Sequence, residues 1–353
     1  MNTSIVLLKQ ITRLNDKGIT LSKLGKHKKA ISYYDRVLKM NSNDIDTLCN
    51  KGNALSALGK HKQAIACFDK ALKIKPEDVD VLYDKALTLY ETDEFQKAII
   101  YYDKALKISS HDANTLCNKA NALMALGKHT QAIQCYDMAL KIDPKDVVVL
   151  NNKGIVFAGQ NKHAFAISCF EKAMQIEPND MDTLCNMGNS LSTLGRHKES
   201  ADCFRKAIQI DPHDTDALYR YGNELYELDQ YKSALFYFDK ILKIDLENVN
   251  VLISKGLAFH ALNKFKKAIL YYNMALKIDP EDVGILYNKA RSMSMLVQKD
   301  LAIELLEKTI KLMPKHIHHD HEHSKEPTIK ERIKEDESFN NLRGDPRFKR
   351  IIK

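Results

Sequence analysis

The stretch IDTLCNKGNALSALGKHKQAIACFDKALKIKPED, residues 45–78, decides the fold. Its middle, KGNALSALGKH at 51–61, returns as KANALMALGKH at 119–129 and as MGNSLSTLGRH at 187–197, 68 residues on each time. Halving the interval uncovers more copies. Nine units of 34 residues tile 11–316 without insertion or deletion: 11–44, 45–78, 79–112, 113–146, 147–180, 181–214, 215–248, 249–282 and 283–316. With unit residues numbered 1 to 34, position 4 is Leu in all nine, from Leu14 to Leu286. Position 8 is Gly or Ala throughout, position 20 is Ala except at Ser200, and position 24 is Tyr or Phe except at Leu306.

Apolar residues at 4, 8 and 11, and again at 20, 21, 24, 27 and 28, have helical spacing, so each unit reads as two amphipathic helices. Gly at position 15 in four units (Gly25, Gly59, Gly127, Gly195) suits the end of the first helix. Pro at position 32 in six units stops the second, and Asp at position 34 (Asp44, Asp78, Asp146, Asp180, Asp214, Asp282) suits the N-cap of the next. Small residues at 8, 20 and 27 let two backbones approach, and the aromatic at 24 fills the remaining space. One such hairpin cannot bury its apolar faces alone, so neighbours must stack into a solenoid.

The pattern resembles the tetratricopeptide repeat (TPR) family, over about nine tenths of the chain and in one unbroken register. The resemblance implies an all-α fold: a right-handed TPR α-solenoid of nine helix-turn-helix repeats. Leu at position 4 replaces the family's usual Trp, and Lys stands at position 7 in seven units where the family often has Leu. The ninth unit is the least typical, with Leu306 and Thr309 at positions 24 and 27. TLCN at Thr47, Thr115 and Thr183 points to duplication of a two-repeat block.

Residues 1–10 form an N-terminal extension, 317–326 a His-rich linker and 327–353 C-terminal capping helices. Pro327 suits a first helical turn. The ending SFNNLRGDPRFKRIIK resembles a segment that often closes TPR arrays, and Phe339, Leu342, Phe348, Ile351 and Ile352 would cover the last repeat's apolar face. An additional partner-binding motif is the other reading of that ending.

Six of the seven cysteines fall in pairs at positions 5 and 23, carried along with the unit, so their spacing is no disulfide or zinc framework. Reduced thiols, the lack of a signal-like start and the lack of a membrane-length apolar run give a soluble, cytoplasmic expectation. No phosphate-cradling loop, nucleophile elbow or HExxH motif is present, so the expectation is a non-enzyme without a cofactor. His at position 17 (His27, His61, His129, His163, His197) reads as packing at the start of the second helix.

On a wheel of 100° per residue, positions 2, 5, 6, 9 and 13 of the first helix face away from the packed side. The resemblance implies that this face lines a concave groove for ligands. It carries Asn50, Asn118, Asn152, Asn186 and Asn288 at position 6, and Asn53, Asn121, Asn189 and Asn223 at position 9. Residues three apart share a helix face, so amide pairs recur along the groove. An amide offers the donors and acceptor that a peptide backbone needs. The row is similar to the asparagine ladders of O-GlcNAc transferase and kinesin light chains, and it is interrupted by Asp16, Asp84, Arg220 and Ser254. The alternative is an ordinary structural face bonded to the neighbouring repeat.

The dicarboxylate clamp for chaperone tails needs Lys at position 5, which is absent from all nine units, so that partner class is excluded. The whole chain is +8, yet groove positions carry eight acids against three cations. That balance favours a neutral or basic protein or extended peptide and disfavours nucleic acid in the groove. His316, His318, His319, His321 and His323 form a tract able to take up a divalent transition metal weakly, with a spacing that fits no closed site. The function expected is a non-catalytic protein-interaction scaffold. The alternatives are a metal-responsive or metal-handling protein using that tract, and a non-catalytic subunit of an enzyme complex.

Overall fold

The computed structural model describes residues 2–312 and 328–353. Two compact units emerge, Met1–Pro178 and Asn179–Lys353. The first holds five helical hairpins: α1 (Asn2–Lys23) with α2 (His27–Met40), α3 (Ile45–Ser56) with α4 (His61–Ile74), α5 (Val79–Glu91) with α6 (Phe95–Ile108), α7 (Ala113–Ala125) with α8 (His129–Ile142), and α9 (Val147–Gly159) with α10 (His163–Ile176). The second holds four: α11 (Met181–Thr193) with α12 (His197–Ile210), α13 (Thr215–Glu227) with α14 (Tyr231–Leu242), α15 (Val249–Ala261) with α16 (Phe265–Ile278), and α17 (Val283–Met295) with α18 (Lys299–Leu312). There is no strand among the described residues. The fold is the all-α TPR solenoid class that the sequence predicts.

Local chemistry sets the helix ends. All six aspartates expected at N-caps accept a hydrogen bond from a backbone N–H of the first turn, as Asp44 does from Thr47 at 2.9 Å. Asp112 and Asn248 do the same. The hairpin turn is left-handed at position 15 in every unit. Gly25, Gly59, Gly127 and Gly195 have φ of +70° or +71°, and Asp93, Asn161, Asp229, Asn263 and Val297 take the same place with φ of 56–61°. The N–H of this residue and of the next reach back to the first helix, as Gly59 N–H to Ser56 O and Lys60 N–H to Leu55 O do. Proline is not what stops the second helix. α2 and α6 end at position 30, as α4 does, although Ser42 and Ser110 stand where other units have Pro.

Inside each hairpin, position 8 meets the aromatic at 24. A Cβ on Gly52 would lie 2.5 Å from Phe68, and one on Gly256 2.3 Å from Tyr272. Ala86 and Ala120 stand at this position opposite Tyr102 and Tyr136, and all four are fully buried.

Lysine at position 7 proves to be a fastener between repeats. Lys51 pairs with Asp35 (2.6 Å), Lys85 with Asp69 (2.5 Å), Lys119 with Asp103 (2.6 Å), Lys153 with Asp137 (2.5 Å), and Lys255 with Asp239. Each acid is position 25 of the preceding unit. Lys85 and Lys255 also donate to Tyr101 and Tyr271, at position 23 of their own units. Their side chains are only 7% and 4% exposed, so the charge is buried and compensated by a carboxylate and a phenol.

The C-terminal segment folds as short capping helices. It forms α19 (Ile329–Glu335), a 3-10 helix (Glu337–Leu342) and α20 (Pro346–Ile351). Asp336 ends α19 and caps the 3-10 helix, and Asp345 caps α20 with Pro346 in its first turn. α19 opens on a capping box of Thr328 and Glu331, and Pro327 lies outside the described residues. Phe339, Leu342, Phe348 and Ile351 are buried together with Ile333 against Ala290, Ile303 and Leu306 of the ninth repeat. This is the capping role expected of them.

Candidate functional site

The first helix of each repeat positions the candidate site. Buried Leu at 4 and Gly or Ala at 8 turn one side of the helix into the hairpin. Positions 5, 6 and 9 are left on the other side, where Asn53 is exposed and Asn50, Asn118, Asn121, Asn152, Asn186, Asn189, Asn223 and Asn288 are half-buried.

Within Met1–Pro178, Asn53 donates from Nδ2 to Asp84 at 2.6 Å, and the Cys49 thiol donates to the same carboxylate at 3.0 Å. Asn118 Nδ2 donates to the Tyr83 hydroxyl at 2.8 Å. Asn121 Oδ1 accepts from Tyr136 at 2.5 Å and from Asn152 Nδ2 at 3.4 Å. A cleft of about 250 Å³ opens between α1 and α3, with Asn50, Asn53, Lys23 and His27 among its walls. Within Asn179–Lys353, Arg220 donates to Asn189 Oδ1 at 2.8 Å and pairs with Asp216 at 2.7 Å. Ser254 donates to Asn223 Oδ1 and to the Tyr219 hydroxyl, both at 3.4 Å. Asn288 Oδ1 accepts from Arg291 at 3.3 Å.

One pairing recurs four times among these bonds. Position 9 of one unit meets position 6 of the next, in Asn53 with Asp84, Asn121 with Asn152, Asn189 with Arg220, and Asn223 with Ser254. Asp84, Arg220 and Ser254, which interrupt the asparagine row, therefore stand at the same rungs as the asparagines they replace. These four bonds join side chains of neighbouring repeats and fix how the amides of Asn53, Asn121, Asn189 and Asn223 are turned.

Burial raises the Asp84 carboxyl above the usual range, against the hydrogen bonds from Cys49 and Asn53. Burial and the Asp84 charge push the Cys49 thiol far up. Burial also raises Cys117 and Cys185, the two other position-5 thiols, to about 11. All three are thus poor nucleophiles at neutral pH. Asp16, Asp46, Asp80, Glu91, Asp182, Asp216 and Glu227 are exposed. Two of the three cations on the face are engaged, Arg220 with Asp216 and Arg291 with Asp336 at 2.8 Å.

Asp336 is a contact that the sequence did not announce. The cap brings it to Tyr287 and Arg291, at positions 5 and 9 of the ninth repeat, with Tyr287 donating at 2.7 Å. Burial opposes ionisation of Asp336, but Tyr287, Ser338 and Arg291 hold its carboxyl below the usual range. The histidines expected to take up metal, His316, His318, His319, His321 and His323, lie outside the described residues. Among the described residues no group of three or more His, Cys, Asp and Glu is placed to hold a metal ion, and no helix is long and apolar enough to cross a membrane.

Tetratricopeptide repeat models match seven of the nine units, at 12–44, 45–78, 79–112, 113–146, 182–214, 215–248 and 249–282. The chain belongs to the tetratricopeptide repeat family. The fifth and ninth TPR units carry no match. No curated protein matches this chain. Among solved structures, the C-terminal part of a TPR repeat-containing protein from Cytophaga hutchinsonii is 18% identical at a TM-score of 0.59, covering 67% of this chain and 97% of its own. A TPR protein from Parabacteroides merdae is 18% identical at 0.52, covering 75% and 98%. PilF from Pseudomonas aeruginosa is 21% identical at 0.51, covering 59% and 94%. At these identities the likeness shows the fold. TPR arrays serve generally as protein-interaction scaffolds, and that coarse role attaches to this chain.

Proposed function

We propose that the first-helix face holds an extended segment of a partner protein by its backbone. The observation that carries this reading is the inter-repeat rung. An amide tied at one end to the next repeat is pre-oriented, so its other end meets a ligand without a further entropic cost of ordering. Repetition every 34 residues presents such ends at regular intervals along an extended chain. A grip of this kind depends on main-chain groups, so it tolerates varied ligand side chains.

The acids of the face select a neutral or basic segment and repel nucleic acid, with a bias that salt weakens. The protein acts without catalysis and without a resident cofactor, and the metal affinity of the 316–323 tract is weak and incidental. The seven free thiols fit a reducing compartment, which we take to be the cytoplasm.

The test is a peptide selected by display against the full chain, measured against Asn53, Asn118, Asn121 and Asn152, all within Met1–Pro178, changed together to Ala. Each lost hydrogen bond is worth on the order of 1 kcal/mol, so binding should weaken roughly 100-fold or more. Thermal unfolding of the variant, run alongside, separates loss of grip from loss of fold. Unchanged affinity in a folded variant makes the amides architecture alone.

A further inference from the structure

The first repeat carries half of the inter-repeat fastener, and among the described residues no second helix supplies the other half. Lys17 and Tyr33 stand at positions 7 and 23, the places of Lys85 with Tyr101 and of Lys255 with Tyr271. In those later repeats the lysine is closed over by the preceding second helix, which supplies Asp69 or Asp239. Lys17 is exposed, and no ion pair reaches it among the described residues. A cleft of about 660 Å³ lies over this spot, walled by Leu8, Arg13, Lys17, Thr20, Leu21 and Tyr33. Leu8 is 66% exposed beside it.

We propose that this end face docks an acidic amphipathic helix of a partner protein, laid where the second helix of a preceding repeat would lie. One carboxylate of that helix reaches Lys17 and the Tyr33 hydroxyl, as Asp69 reaches Lys85 beside Tyr101. Its apolar side covers Leu8 and Leu21. Position 3 argues for the acidic character. Later repeats bury a small or apolar residue there, such as Thr47, Val81, Val149 or Ile285, whereas the first repeat exposes Arg13. With Lys9 and Lys17 also exposed, against Asp16, the face is cationic around an apolar floor. A second copy of the chain fits it poorly. Face to face, the same cations would meet, and the last second helix of the array, α18, is already covered by α20 and its neighbours.

The experiment measures fluorescence anisotropy of a labelled, lactam-stapled peptide on the full chain. The peptide is residues 61–78 with Lys70→Glu and Lys73→Glu, which keeps Asp69 and makes the outer side acidic. The staple removes the cost of forming an isolated helix. Saturable binding is expected, weakened about tenfold by Lys17→Ala in the protein or by Asp69→Asn in the peptide, as for a charge-assisted hydrogen bond. The swap of Lys17→Asp with Asp69→Lys should restore most of it. Absence of binding up to about 1 mM, or binding indifferent to both single changes, overturns the proposal. So does sedimentation showing that the chain alone self-associates and that Lys17→Ala disperses it, because the occupant is then a second copy. Lys17-dependent binding of a short RNA in place of the peptide overturns it as well.

Discussion

Val297 sits in the hairpin turn of the ninth repeat with φ of +61°, a place held elsewhere by Gly, Asp or Asn. A β-branched residue in the left-handed region costs about 1–2 kcal/mol, and at 67% exposure Val297 recovers little of that by packing. Val297→Gly should therefore raise stability by about 1 kcal/mol, net of the greater freedom of glycine in the unfolded chain, read as a higher midpoint of thermal unfolding. His260 offers a second test. Burial, aided by the Arg291 guanidinium, lowers it from 6.5 to about 4, against the pull of Asp336, and its Nδ1 lies 2.8 Å from Ser292 Oγ. The folded protein then binds fewer protons at this ring than the unfolded chain does between those values. The stability it contributes is complete above about pH 6.5 and is lost as pH falls toward 4. Denaturant midpoints across that window should fall less steeply in His260→Gln than in the parent.

Between helices, the lysine-aspartate fastener and the terminal cap carry the expectations. Asp69→Ala leaves the Lys85 ammonium buried beside Tyr101 without its counter-charge and should cost about 2 kcal/mol. Lys85→Met should cost less, because a long apolar chain fills the same space, and Met187 already occupies position 7 in the sixth repeat. Urea midpoints of the two variants decide the order, and a larger loss in Lys85→Met would contradict it. At the other end, a chain stopped at 314 loses Ile333, Phe339, Leu342 and Phe348 from the core around Leu306 and Ile303. Amide exchange should then accelerate first in α17 and α18. Acid should loosen the same cap, since its hydrogen bonds to Arg347 hold Asp345 down at about 2, and that contribution is lost as pH falls from about 4 through 2.

Across the whole chain, the features legible in sequence were those that repeat at a single position: the Leu at 4, the aromatic at 24, the Asp caps and the small residues at 8. Their meaning is local, because a cap or a close approach needs only one helix or one hairpin. What escaped notice was written in two columns at once. Asp at position 25 is followed in the next unit by Lys at position 7 in five units, and Arg205 is followed by Tyr221. The pairing is visible only when successive units are read together. The left-handed Val297 was hidden because nothing in a valine signals a turn, and only the register places it opposite Gly59. The cap was foreseen from its apolar residues, whereas the charge that fastens it, Asp336 on Tyr287 and Arg291, became apparent only in three dimensions. The asparagines were legible as a row, and the structure adds that the row is also wired from repeat to repeat. Whether that wiring serves a ligand is tested most directly on the ligand itself. A peptide selected against the full chain should lose about tenfold or more in affinity when alternate backbone amides are N-methylated, and only a few-fold when single side chains are cut to alanine. A peptide that tolerates N-methylation but fails on loss of one or two side chains would contradict a backbone grip.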